Sequence, residues 1–70
     1  MDAVIHTKTH IYIFEFKLDK SPEIAIEQIK KRDYYQKYVL DEKKLILLGV
    51  NFTSKTGEIE KWIIEKVERI

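Results

Sequence analysis

With 70 residues, the chain can build one small hydrophobic core and has no room for a second domain, because a domain of this size buries only about 60% of the surface its unfolded form exposes. Its 44% hydrophobic and 36% charged residues mark a globular composition and exclude a disordered tail, while the lack of cysteine excludes disulfides and thiolate zinc sites and fits an intracellular, cytoplasmic setting. Thirteen Lys and Arg against twelve Asp and Glu leave a formal charge of +1, so any hold on nucleic acid must come from local patches rather than bulk attraction.

Two strand-like runs open the chain, Ala3-Val4-Ile5-His6 and Ile11-Tyr12-Ile13-Phe14-Glu15-Phe16-Lys17-Leu18, rich in the β-branched and aromatic residues that suit a pleated surface. Thr7-Lys8-Thr9-His10 between them is polar and short enough for a hairpin turn. Ser21-Pro22-Glu23 then supplies a helix start, with Ser21 able to cap, Pro22 suited to the first helical position and Glu23 suited to the positive end of the dipole. Ala25, Ile26 and Ile29 form its apolar stripe. The pattern predicts helix to about Arg32, a break near Asp33 and a further turn through Tyr38.

Leu45-Ile46-Leu47-Leu48-Gly49-Val50 is a continuous apolar run, which reads as a central strand covered on both faces. The polar turn Thr53-Ser54-Lys55-Thr56-Gly57 leads to Ile59-Glu60-Lys61-Trp62-Ile63-Ile64-Glu65, whose mixed charge suits an edge strand. The order is therefore ββαββ, a mixed α/β (α+β) arrangement with one main helix. The first two and last two strands should pair antiparallel, and the helical crossover should make the middle pair parallel. No apolar run approaches the roughly 20 residues needed to cross a bilayer, and no secretory signal pattern opens the chain.

On the second strand, Ile11, Ile13, Glu15 and Lys17 share one face. A lone Glu-x-Lys is ordinarily a solvated charge pair. The hairpin gives it more meaning, because a two-residue loop at Lys8-Thr9 would set Thr7 against His10 and bring Asp2 opposite Glu15. Opposed Cβ atoms lie about 4.5–5.5 Å apart, and like charges there destabilise a sheet, so a shared divalent cation would offset the repulsion. Oxygen ligands of this kind suit Mg²⁺ or Mn²⁺. A one-residue slip would put Asp2 on the wrong face.

The run Asp2-Ala3-Val4-Ile5, followed across the hairpin by Phe14-Glu15-Phe16-Lys17, resembles the Asp…Glu-x-Lys signature of the PD-(D/E)xK nuclease superfamily. More narrowly, Ala25-Ile26-Glu27-Gln28-Ile29 with Tyr34 and Tyr38, then Lys44 through Phe52 and the late Trp62, resembles the nuclease-like domain at the C-terminus of certain AAA-ATPase-like proteins. The resemblance implies a restriction-endonuclease-like core that hydrolyses DNA phosphodiesters with Mg²⁺ or Mn²⁺. By it, Asp2 and Glu15 match the metal-binding acids, the Phe16 carbonyl a further ligand, Lys17 the lysine that orients or activates water, and Gln28 the family's helical glutamine. Related domains carry a Gly-Arg pair and a helix before the first acid, whereas only Met1 precedes Asp2. The chain thus looks like a truncated or minimal version, with a homo-oligomer or a missing N-terminal segment or ATPase-like domain as the expected partner. A catalytically silent module of the same fold that self-associates is the alternative.

Other residues offer less. Lys30, Lys31, Arg32 and Lys37 with Tyr34, Tyr35 and Tyr38 form a basic and aromatic strip that would suit nucleic acid, although tyrosines in so small a domain more often supply core area. His6 and His10 have no third ligand at fitting spacing. Trp62 is expected to serve packing.

Overall fold

The computed structural model describes residues 2–68, with side chains from Ala3 onward. Strands β1 (Asp2–His6) and β2 (His10–Leu18) are followed by helices α1 (Pro22–Lys31) and α2 (Tyr34–Val39), then β3 (Lys44–Phe52) and β4 (Ile59–Lys66). The four strands form one sheet in the order β1-β2-β3-β4. β1–β2 and β3–β4 are antiparallel and β2–β3 is parallel, as the helical crossover requires. The result is a mixed sheet of the α+β class.

The turn after β1 is closed by the Thr7 N–H donating to the His10 carbonyl at 2.9 Å, while the Thr7 hydroxyl accepts from the His10 N–H at 2.9 Å. Those bonds fix the register His6↔Ile11 through Asp2↔Glu15. A threonine hydroxyl thus does locally what an Asn-Gly pair does in commoner hairpins.

α1 begins at Pro22 and ends one residue before Arg32, with α2 following after a short break. Ser21 holds the N-cap position in extended conformation, but its hydroxyl makes no cap bond. The expected side-chain cap is therefore not formed, and the proline at the helix start, which has no N–H to satisfy, removes part of the need for one.

The core lies between α1 and one face of the sheet. Ile11 and Ile13 of β2, Leu45 and Leu47 of β3, and Ile26 and Ile29 of α1 are all buried there, with Tyr34, Tyr35 and Tyr38 packed partly against them. The tyrosines are thus mainly packing residues, in line with the weight given to core area. Gly49 lets the helix approach closely. A Cβ at this position would lie 3.1 Å from the Ala25 Cβ and would collide with the Pro22 carbonyl oxygen.

The opposite face corrects two expectations. Tyr12, Phe14 and Phe16 of β2, with Leu48 and Phe52 of β3, are only half-buried, and among the described residues no helix covers them. The apolar run of β3 reads as covered on both faces because its outward residues Ile46 and Val50 are shielded by neighbouring strands. Trp62, expected in packing, is 64% exposed on this face, as is Ile64 beside it at 58%. Its ring lies on an edge strand, where only one neighbour can shield it.

Candidate active site

Glu15 is the chemically unusual residue of the structure. Its side chain is 0% exposed, yet it sits on the same sheet face as Ile11 and Ile13, at the end of the buried row of β2. Carboxylates are almost never buried to this degree unless paired, because the effective cost of desolvating one is several kcal/mol. A partner comes from the end of α1. The Arg32 Nη2 donates to Glu15 Oε1 at 3.2 Å, and the Arg32 side chain remains 40% exposed.

Asp2 pairs directly with Glu15 in the β1–β2 register, so its position belongs to the same face; its side chain lies outside the described residues. Lys17 follows two residues after Glu15 on this face and is half-buried, opposite Asn51 of β3. Among the described residues no carboxylate pairs with its ammonium group. Phe16 turns its ring to the other face, stacked on Phe14 at 6.0 Å, so only its backbone can serve the acid side. Gln28 lies half-buried on α1, and no hydrogen bond joins it to the acid among the described residues.

Two residues of this region carry no signal in the motif. Arg32 stands four residues after Gln28, at the C-cap of α1, and no local pattern in the sequence links it to Glu15. Asn51 is buried at 5% exposure and its Oδ1 accepts the Lys20 N–H at 2.8 Å. It fastens the chain between β2 and α1 beside Lys17.

The basic strip is divided by these pairings. Arg32 turns to Glu15, and Lys30 forms an ion pair with Glu65 of β4 that raises its pKa above the ordinary value. Tyr34 packs edge-on against Tyr38, with ring centroids 5.8 Å apart. Lys31 and Lys37 remain exposed, and the Lys37 ammonium lies 6.0 Å from the Tyr38 ring centre. His6 stands beside Tyr38, and His10 stacks on Tyr12.

The donors present suit a hard divalent cation. Mg²⁺ is usually held by one or two carboxylates with waters completing the octahedron, and Glu15 is a donor of that chemical type, with the Asp2 position opposite it in the register. Among the described residues there is no group of three or more His, Cys, Asp or Glu side chains that could hold a metal.

Comparison with known proteins agrees with this geometry. A protein from Azotobacter chroococcum mcd 1, named "Uncharacterized protein in vnfD 5'region", is 28% identical over 69 residues, a match covering 96% of this chain and 13% of that protein. The chain therefore spans only a small part of the length of that relative. No solved structure matches it. The sequence model of the PD-(D/E)XK nuclease superfamily matches residues 1–62, which takes in the hairpin with Glu15 and Lys17, both helices, β3 and the first half of β4. The chain belongs to the PD-(D/E)XK nuclease superfamily.

Proposed function

We propose that this domain is a divalent-metal-dependent nuclease acting on DNA phosphodiesters. The observation that supports it most is the pairing of Asp2 with Glu15 across β1 and β2, with Lys17 on the same face and the Glu15 side chain fully buried. Asp2, Glu15 and the Phe16 carbonyl would hold Mg²⁺ or Mn²⁺. When bound, such an ion polarises a phosphoryl oxygen and makes a neutral-pH nucleophile available from water.

The chain's own residues supply the rest. The rigid β2 strand holds Glu15 and Lys17 at a fixed separation, the pre-positioning on which proximity effects depend. The Lys17 ammonium donates to the attacking water or to a phosphate oxygen, orienting one against the other. Gln28 reaches from α1 to hold the same water, and Lys31 and Lys37 offer charge to the flanking phosphates. Cleavage of supercoiled and single-stranded DNA with Mg²⁺, Mn²⁺ or EDTA tests this. Activity that needs metal and is lost in Lys17→Ala supports it, and equal cleavage by wild type and variant contradicts it.

A second use of the fold is favoured by the uncovered sheet face. Trp62, Ile64, Ile5 and Leu18 are all exposed there, and a patch of this kind marks an interaction surface. The module then self-associates, or docks within a longer polypeptide such as an AAA-ATPase-like protein, a context consistent with the much greater length of its relative. A cytoplasmic location accompanies either use.

A further inference from the structure

We propose that Asn51 is a phosphate-binding residue of the nuclease site, its side-chain nitrogen donating to the phosphodiester that Lys17 also holds. This rests on the nuclease reading of Asp2, Glu15 and Lys17. Asn51 stands on β3 as the register partner of Lys17, one strand spacing of about 4.8 Å away, and alternation along the strands puts both on the face that carries Glu15. It is buried at 5% exposure, where its Oδ1 accepts the Lys20 N–H at 2.8 Å. That bond fixes the amide: only the oxygen can accept, so the nitrogen is turned away from the Lys20 N–H with two donors to place.

No other hydrogen bond reaches the Asn51 side chain among the described residues. Every side-chain nitrogen or oxygen sealed from solvent there has a partner, so the Asn51 nitrogen is not sealed. It opens on a cavity of about 400 Å³ that Asn51 lines together with Lys20 and Lys61. Asp19, Glu23 and Glu60 line the same cavity, which is therefore no general trap for anions; the place for a phosphate is the edge where Asn51 adjoins Lys17.

The residue type at this position points the same way. For fastening the loop alone an acid would serve better, since a charged acceptor makes the stronger bond, and the neighbouring Asp19 does this for the Ser54 N–H at 2.9 Å. Asn51→Asp, by contrast, would set a carboxylate against the Lys17 ammonium and repel a phosphate. The amide fastens the loop, adds donors and leaves the lysine its charge.

Binding of a fluorescent single-stranded oligonucleotide, measured in EDTA so that nothing is cleaved, tests this. Asn51→Asp keeps the acceptor for Lys20 and removes the donors. It is expected to melt close to wild type and to bind on the order of tenfold more weakly, the factor that a hydrogen bond to a charged group is worth. Asn51→Leu loses affinity to a similar extent with no charge added, and the aspartate variant carries the test alone should the leucine variant not fold. Asp19→Asn, which weakens the neighbouring fastening and leaves the amide in place, does not lower affinity. Binding like wild type in either Asn51 variant, or an equal loss in Asp19→Asn, overturns the role of Asn51 while leaving the metal centre standing. A wild type that neither takes up Mn²⁺ in calorimetric titration nor binds the oligonucleotide overturns both.

Discussion

Glu15 and Gly49 are register partners in the parallel pair β2–β3, so the buried acid stands beside a position where α1 lies close against the sheet. Gly49 has no side chain, and the Pro22 carbonyl oxygen, the Ala25 Cβ and an Ile26 methylene occupy the space that a side chain would need. The approach that closes the core over Glu15 thus depends on a missing Cβ.

Gly49→Ala should accordingly destabilise the domain by at least about 3 kcal/mol, the upper end for overpacking, because the obstructing atom belongs to backbone and cannot rotate away. In a domain this small the change should lower the melting temperature by more than about 10 °C. Gly57 provides the contrast. It has φ +74° and nothing within 4 Å of an added Cβ, so Gly57→Asn, which tolerates that conformation, should shift the melting temperature little.

Asp19, the residue after β2, has φ 54°. Its N–H donates to the Phe52 carbonyl at 2.8 Å, and its Oδ1 accepts the Ser54 N–H at 2.9 Å. Hydrogen bonding to Ser54 holds its carboxyl below the usual value of 3.8. A depressed carboxylate stabilises the fold above its unfolded pKa, and that contribution is lost as pH falls through the folded value. Urea unfolding of wild type and Asp19→Asn should therefore differ most near neutral pH and converge as the solution is acidified below about pH 4.

The Lys30–Glu65 pair ties the end of α1 to β4. Its main effect is to raise the lysine pKa above 10.5 through the hydrogen bond from Lys30 to Glu65. The sign is opposite to that of Asp19: the stabilisation is fully present below the unfolded value and is lost as pH rises through the folded one. Both side chains are partly exposed, so the pair should contribute at most about 1 kcal/mol. Lys30→Met should cost little at pH 7, and that small cost should shrink as salt rises.

Trp62→Lys should leave the melting temperature nearly unchanged, since the ring is 64% exposed. Sedimentation velocity across a concentration series should show whether the face mediates association. A wild type that shifts to larger species with concentration, beside a Trp62→Lys that does not, is the expected result.

The hairpin was legible in the sequence from its two apolar alternating runs and short polar turn, whereas the register that pairs Asp2 with Glu15 followed only if the loop held two residues, which the Thr7–His10 bonds of the structure supply. The helix start at Pro22 and the break before Tyr34 follow from local chemistry in the same way. The open face was not legible. Ile46, Leu48 and Val50 are as apolar as residues covered by a helix, and composition does not say whether neighbouring strands or a further layer shield them. The Arg32–Glu15 pair was equally hidden, since 17 residues separate its members and only the crossing of α1 over β2 brings them together. Gly49 was readable in part, because an isolated glycine inside a strand often marks close approach of another backbone.

In the proposed metal centre the carboxylates of Asp2 and Glu15 share one divalent cation beside Lys17. Anomalous diffraction from a crystal soaked in Mn²⁺ tests it most directly. A peak bonded to an oxygen of Glu15 at about 2.0–2.2 Å, the range for a hard octahedral ion, and absent in Glu15→Gln, is the predicted result. A soaked crystal with no peak at Glu15, or with Asp2 turned away from it, would contradict the account.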